Sequence, residues 1–335
     1  METDIILKVE NLSSGFTVEK QKVAIVKDVS FQVHRGKTLA IVGESGCGKS
    51  VTVHSVMQLL PRNGKIFGGK VTYYKDGKAY ELSSLEKYGK EMRSIRGGEI
   101  GMVFQDPMAS LNPVYTVGSQ VAANLRQHFK VDKAEARKRV VEMFAKLGIP
   151  DPERRYDQYP HEFSGGMRQR VMIAIAMICN PQLIIADEPT TALDVTIQAQ
   201  IMELMKKLQV EDGKSIILIT HNMGLVAEMA DEVAVMYMGR VVEYGKIEDI
   251  FRHPTHPYTA ALLRSVPQLG MDRSKPLETI RGMTPNPRDL GEGCEFAGRC
   301  DFCSEQCKKG LMPYTDIGGG HMVRCMRTKG GTGNA

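Results

Sequence analysis

Several absences narrow the reading of this 335-residue chain. No apolar run approaches the ~20 residues of a membrane-spanning helix. The most apolar helical stretch, Val171 to Ile178, is too short. The first residues, Met1-Glu2-Thr3-Asp4, are acidic and carry no secretory pattern. The chain is therefore expected to be made and kept in the cytoplasm, meeting a membrane only through protein partners. One-sided charge is missing too: 44 basic residues stand against 39 acidic ones, for a net charge of +5. The densest basic stretch, Lys133 to Lys146, is interrupted by Glu135 and Glu142 and reads as a solvated helix face. With no basic tail and no aromatic-basic stripe, nucleic acid is not an expected partner. There are no internal repeats, so one catalytic unit is expected and not two. With 42% hydrophobic and 25% charged residues, the composition is that of an ordinary globular protein. The length allows a large core and more than one unit.

What is present is phosphate chemistry. Gly43-Glu44-Ser45-Gly46-Cys47-Gly48-Lys49-Ser50, followed by Val51, fits G-x-x-x-x-G-K-[ST]. An apolar run, Thr38 to Val42, precedes it as a buried parallel strand. Val51 to Leu60 follows as a helix, stopped by Pro61 and Gly64. Strand, glycine-rich turn and helix are the context this motif needs. Glycines let the backbone wrap a phosphate, and successive N–H groups at a helix start point at the anion. Lys49 is expected to reach the β- and γ-phosphates, and the Ser50 hydroxyl to bind Mg²⁺.

A second anion-binding helix start lies downstream. Phe163-Ser164-Gly165-Gly166-Met167 opens a helix, and Leu183-Ile184-Ile185-Ala186-Asp187-Glu188-Pro189 is an apolar strand ending in two acids. Two phosphate surfaces in one chain imply that Ser164, Gly165 and Gly166 complete the site of another subunit, so ATP is shared across a dimer. Asp187 is placed to orient Mg²⁺ through water, and Glu188 to take a proton from the attacking water. Gln105, where a strand runs into a loop, can touch Mg²⁺ and the lytic water. His221 follows the apolar strand Ser215 to Thr220, at the end where α/β sheets collect ligands. Phe16, in an early β-like segment, is the candidate for stacking on adenine, worth ~1–3 kcal/mol by analogy with base–aromatic contacts.

Asp76-Gly77 between two β-like runs signals a hairpin in an antiparallel lobe beside the phosphate loop. Residues from about 110 to 170 read as helical, with helical spacing over 117–128 and 133–147. Ile247 to Phe251 and Tyr258 to Leu263 are short helical pieces. Residues 267–293 hold Pro267, Pro276, Pro285 and Pro287 among glycines and read as an extended connector.

Five of seven cysteines fall between 294 and 325: Cys294, Cys300, Cys303, Cys307 and Cys325. In a cytoplasmic chain such a group points to a metal site before disulfides. Four thiolates suit zinc or an iron–sulfur cluster. Arg299, Lys308, Lys309 and Arg324 would offset their charge.

Taken together, these residues resemble the nucleotide-binding subunit of an ABC transporter. The resemblance covers residues 1 to about 245. It comprises a Walker A loop (43–50), a Q-loop (Gln105), a signature (164–168), a Walker B strand (183–188), a D-loop (Ala192-Leu193-Asp194) and a switch histidine (His221), in the family's order. It implies an α/β P-loop NTPase: a RecA-like core with an antiparallel β subdomain and a helical subdomain. It also implies head-to-tail pairing, with the Ser164 turn on the partner's γ-phosphate and Glu188 as the catalytic carboxylate. Where this chain has Met167 the family commonly has Gln, and a thioether cannot donate a hydrogen bond to ribose.

A closer resemblance is to the peptide-permease ATPases, which serve dipeptide, oligopeptide and nickel importers. It rests on Gly43 to Val51, on Val103-Phe104-Gln105-Asp106-Pro107-Met108-Ala109-Ser110-Leu111-Asn112-Pro113 and on His256-Pro257-Tyr258-Thr259. That branch carries a C-terminal extension, here 246–335, small and cysteine-rich. Its Cys-x5-Cys-x6-Cys pattern with a later Cys is read as a [4Fe–4S] site, which maps onto Cys294, Cys300, Cys307 and Cys325. Cys303 lies outside that pattern and keeps zinc open as the alternative.

The expectation is an ATP-hydrolysing subunit that powers peptide import from the cytoplasmic face of the membrane. Its expected partners are a second ATPase subunit, identical or related, two membrane-spanning permease subunits and, indirectly, an extracytoplasmic solute-binding protein. A nickel or oligosaccharide importer of the same branch is the alternative. A soluble ABC ATPase acting on nucleic acid or ribosomes is the rival from another class.

Overall fold

The elements follow from where β-branched runs meet glycine and proline. The structure, a computed structural model, describes residues 4–191, 193–266, 279–286, 290–310 and 312–329. Strands β1 (Ile5–Val18) and β2 (Gln21–His34) pair antiparallel, and apolar positions such as Leu7, Val9 and Leu12 are buried. Between them and the next hairpin lies β3 (Thr38–Val42). Strands β4 (Gly64–Lys75) and β5 (Lys78–Glu81) complete a four-stranded sheet of order β2-β1-β4-β5. Asp76 (φ 49°) and Gly77 (φ 73°) form the expected two-residue turn, the left-handed pair that matches strand twist.

The larger sheet has eight strands. Parallel to β3 run β6 (Ile100–Val103), β7 (Leu183–Asp187), β8 (Ser215–Thr220) and β9 (Glu232–Tyr237), in spatial order β9-β3-β8-β7-β6. Every residue of β3, β6, β7 and β8 is buried. Runs this apolar, without alternation, belong to strands covered on both faces. Strand β10 (Arg240–Lys246) turns back antiparallel to β9, and β11 (Thr315–Asp316) and β12 (Met322–Val323) continue the sheet beyond it. The C-terminal segment therefore adds two strands to the same sheet.

Helix α1 (Lys49–Val56) leaves β3 through the phosphate loop. It ends four residues before the expected Leu60, because Gln58 turns left-handed at φ 49°. Between α2 (Lys90–Ile95) and β7 lie α3 (Pro107–Ser110), α4 (Val117–His128), α5 (Lys133–Lys146), α6 (Pro152–Tyr156) and α7 (Gly165–Met177). Thr116 and Asp132 cap α4 and α5 with side-chain oxygens, as helix starts favour. Val121, Leu125, Val140, Phe144 and Ile173 bind these helices into one core with β7 and β8. Helices α8 (Val195–Val210) and α9 (Met223–Met229) flank β8, and α10 (Ile247–Arg252) and α11 (Pro257–Arg264) follow β10. Among the described residues no helix is long and apolar enough to cross a membrane. Ala192 and most of the expected connector, 267–278 and 287–289, lie outside the described residues.

Candidate nucleotide site

The phosphate loop needs its glycines. Gly43 (φ 151°) and Gly48 (φ 104°) lie in backbone regions that side chains avoid. A Cβ on Gly43 would stand 2.2 Å from the Met236 carbonyl oxygen. Gly48 occupies the left-handed position that opens α1. Lys49 is buried at 5% exposure and donates from Nζ to the carbonyls of Gly43 (2.9 Å) and Glu44 (3.1 Å). Ser45 and Gly46 form an exposed tip.

Ser50 Oγ donates to Asp187 Oδ1 at 3.0 Å, which joins the loop to the end of β7. Asp187 is buried. Burial pushes its carboxyl above the usual range, and the Ser50 hydrogen bond pulls the other way. His54 Nε2 stands 4.0 Å from Asp187 Oδ2 with no hydrogen-bond partner of its own.

Glu188 follows in a left-handed conformation (φ 46°), the kind of backbone strain that clusters at functional sites. Its N–H donates to Ile219 O at 3.0 Å, fixing the turn on β8. Its carboxylate accepts from Gln105 Nε2 (3.0 Å) and Thr191 Oγ1 (2.9 Å), and His221 Nδ1 lies 3.6 Å away. Three expected residues, Glu188, Gln105 and His221, thus meet in one cluster. Thr191 and His54 were not expected. Thr191 lies three residues beyond Glu188 in the same turn, and that proximity was its only signal.

Ser164, Gly165 and Gly166 stand at the start of α7. Ser164 Oγ caps the helix by accepting from Met167 N (3.3 Å). Ser164 and Gly165 are exposed. A Cβ on Gly166 would press on Ile197 Cγ2 at 2.6 Å, so glycine lets α7 close on α8. Met167 is half-buried and packs into the helical core. Among the described residues no hydrogen bond joins this turn to the phosphate loop or to Glu188. Phe16 lies near the end of β1, half-buried, in register with Val23 and Gly64, and its ring flanks Gly64.

The C-terminal segment reaches the loop as well. Arg299 pairs with Glu44, and Tyr258 OH accepts the Glu44 N–H. All five late cysteines line one small cavity, together with His256, Phe296, Phe302 and Met312. All five are free thiols. Burial pushes the Cys294 thiol up to about 12 and raises those of Cys300 and Cys325. Among the described residues no group of three or more His, Cys, Asp or Glu side chains is placed to hold a metal ion.

The ABC transporter family matches residues 26–191, and the family described as oligopeptide/dipeptide transporter, C-terminal region, matches residues 242–307. A Brucella ovis protein, provisionally named a peptide import ATP-binding protein, is 50% identical over 334 residues, 98% of each chain. The dipeptide transport ATP-binding protein DppD of Bacillus subtilis is 50% identical over 321 residues, covering 96% of this chain and 94% of its own. Among solved structures, a dimeric post-hydrolysis state of the ATP-binding cassette MJ0796, bound to ADP and Pi, is 30% identical with a TM-score of 0.63. That match covers 72% of this chain and 99% of the other. The protein cbiO1 of Clostridium perfringens, part of the ABC transporter complex cbiONQ, is 32% identical with a TM-score of 0.61, over 75% and 92% of the two chains. This chain belongs to the ATP-hydrolysing, ATP-binding subunits of ABC transporters, in the group that carries the oligopeptide/dipeptide transporter C-terminal region.

Proposed function

We propose that this chain hydrolyses ATP to drive peptide import, with Glu188 as the carboxylate that accepts the proton of the attacking water. The observation that carries the chemistry is the Glu188 cluster. A strained carboxylate is aimed by Gln105 and Thr191, with His221 beside it and the Ser50–Asp187 pair across the phosphate loop. The loop residues Gly43 to Val51 cradle the phosphates, Lys49 moving from its carbonyl partners to phosphate oxygens. Ser50, Gln105 and, through water, Asp187 are the donors that would hold Mg²⁺, whose charge stabilises the phosphates. Phe16 is assigned to the adenine. Ser164 and Gly165 are exposed, and Gly166 is buried behind them against Ile197. Among the described residues this helix start makes no hydrogen bond to the phosphate loop or Glu188, which supports the use of Ser164, Gly165 and Gly166 on a second subunit's nucleotide. We assign residues 1–245 to the cassette, with 110–170 as its helical subdomain, and 246–335 to the extension.

Peptide as cargo is supported by the two named relatives and by the matched C-terminal region. Membrane-spanning permease subunits are the partners this implies, with the chain peripheral on the cytoplasmic face. The convergence of five thiols on one cavity supports a [4Fe–4S] cluster held by Cys294, Cys300, Cys307 and Cys325. Zinc on the same thiols is the alternative. As they stand, the described residues place no three His, Cys, Asp or Glu side chains to hold a metal ion, so either group would have to draw the thiols together. A bound cluster would tie separate stretches of the extension together. Broad absorbance near ~400 nm and iron in anaerobically purified protein test it; zinc alone would replace it.

Glu188→Gln tests the chemistry. The variant is expected to bind ATP, to trap a dimer and to lose at least ~100-fold in hydrolysis; full activity would remove Glu188 from its role. Uptake of labelled di- and oligopeptides by cells carrying the chain tests the cargo. Nickel or oligosaccharide uptake in its place would overturn peptide import.

A further inference from the structure

Glu44 is an acidic residue inside a loop that receives the most highly charged part of ATP. A carboxylate there repels the phosphates unless its charge is cancelled. In this structure it is cancelled by a residue 255 positions away. Arg299 donates from both terminal nitrogens to the Glu44 carboxylate, Nη1 to Oε2 at 2.7 Å and Nη2 to Oε1 at 3.0 Å. This is the bidentate geometry that makes an arginine–carboxylate pair strong and directional. The Arg299 side chain is only 8% exposed. Its remaining donors are used on the Arg281 and Gly282 carbonyls and on Tyr237 OH. Thr284 Oγ1 adds a further donor to Glu44 at 2.9 Å. On the backbone side, Glu44 N–H donates to the hydroxyl of buried Tyr258 at 2.9 Å. Glu44 is thus held at both ends by the extension, while the neighbouring Ser45 and Gly46 are exposed.

We propose that Arg299 and Tyr258 are positioning residues for ATP binding: Arg299 neutralises Glu44 and Tyr258 anchors its backbone, so the C-terminal extension sets the nucleotide affinity of the phosphate loop. The inference rests on ATP binding at residues 43–50. It gives a use to the His256-Pro257-Tyr258-Thr259 stretch, whose third residue reaches the loop. Phe296 connects this support to the cysteine cavity. Its ring packs on Tyr237 and Tyr258 at centroid distances of 5.2 and 5.4 Å, and Phe296 also lines the cavity.

The test is equilibrium binding of a fluorescent ATP analogue to the full chain, alongside steady-state hydrolysis. Arg299→Ala is expected to weaken binding about tenfold and to raise KM with kcat within twofold, since the interaction it removes supports binding. Tyr258→Phe keeps the ring packing and is expected to weaken binding ~3–5-fold. The deciding variant is Glu44→Gln combined with Arg299→Ala. Removing the uncancelled charge should restore most of the affinity, which a merely structural loss would not allow. Arg240→Ala is the control. It breaks another tie of the extension, the 2.6 Å pair with Glu295, without touching the loop, and should leave affinity unchanged. Equal binding by wild type and Arg299→Ala overturns the proposal. So does a failure of Glu44→Gln to rescue, or an Arg240→Ala defect as large as that of Arg299→Ala. No binding by the wild-type chain would remove the loop's assignment itself, a result distinct from these.

Discussion

The two helix starts that carry phosphate-binding sequences are built in opposite ways. The start of α1 is mostly buried, relies on glycines in left-handed or extended positive-φ backbone, and is propped from behind by Arg299 and Tyr258. The start of α7 is exposed at Ser164 and Gly165, uses an ordinary serine cap, and is backed by Leu193 and Ile197 at the head of α8. The first is finished within the chain. The second is a surface, open at Ser164 and Gly165. Only the first should report on nucleotide in an isolated subunit.

Gly43→Ala should break the first surface most severely. Its Cβ meets a backbone carbonyl that cannot move aside. The expected result is loss of measurable nucleotide binding and a stability cost of about 3 kcal/mol, read by binding and denaturant unfolding. Ser164→Ala should break only the second. Nucleotide binding to the single chain should stay within twofold, while hydrolysis falls ~10–100-fold with the loss of a hydrogen bond to a charged phosphate. A parallel loss of binding would show that the two surfaces are not independent.

Thr191→Val sharpens the view of the cluster between them. It removes one of the donors aiming Glu188, and kcat should fall ~3–10-fold with binding intact. The smallest effect is a pH dependence. Burial alone would lift the Glu44 carboxyl. Hydrogen bonds from Arg299 and Thr284, with the Arg299 and Lys49 charges, outweigh that and hold it below its ordinary 4.5. A depressed folded-state value means the pair's stabilisation is present above about pH 4.5 and drains away as pH falls through the depressed value. Wild type and Arg299→Ala should differ by ~1 kcal/mol at pH 7 and converge in acid, as unfolding across a pH series would show.

The phosphate loop and the acidic end of β7 were legible in the sequence because each is a short contiguous string in a recognisable setting. Gly43 to Ser50 sits between a strand and a helix, and Asp187 and Glu188 end an apolar run. Helical spacing placed α4 and α5 almost to the residue. Contacts made across long separations were not legible. Tyr258 and Arg299 lie 214 and 255 positions from Glu44, and nothing in either neighbourhood points back to the loop. Strands β11 and β12 have two residues each, too few to show a period. The grouping of late cysteines was visible, but the aromatic path from their cavity to the loop was a matter of packing alone.

The pairing of β12 with β10 carries a practical consequence. Glu243 is fully buried, and its carboxylate accepts from His321 and from the backbone of Thr255 and His256. Cutting the chain after residue 245 would strand that carboxylate and bare the rim of the sheet where Met322 and Val323 had bonded. A naked strand rim recruits other chains, and an orphaned interior acid weakens what remains. A trimmed cassette should therefore precipitate on expression. The tail works as the selvedge of the sheet and keeps it from fraying into aggregates.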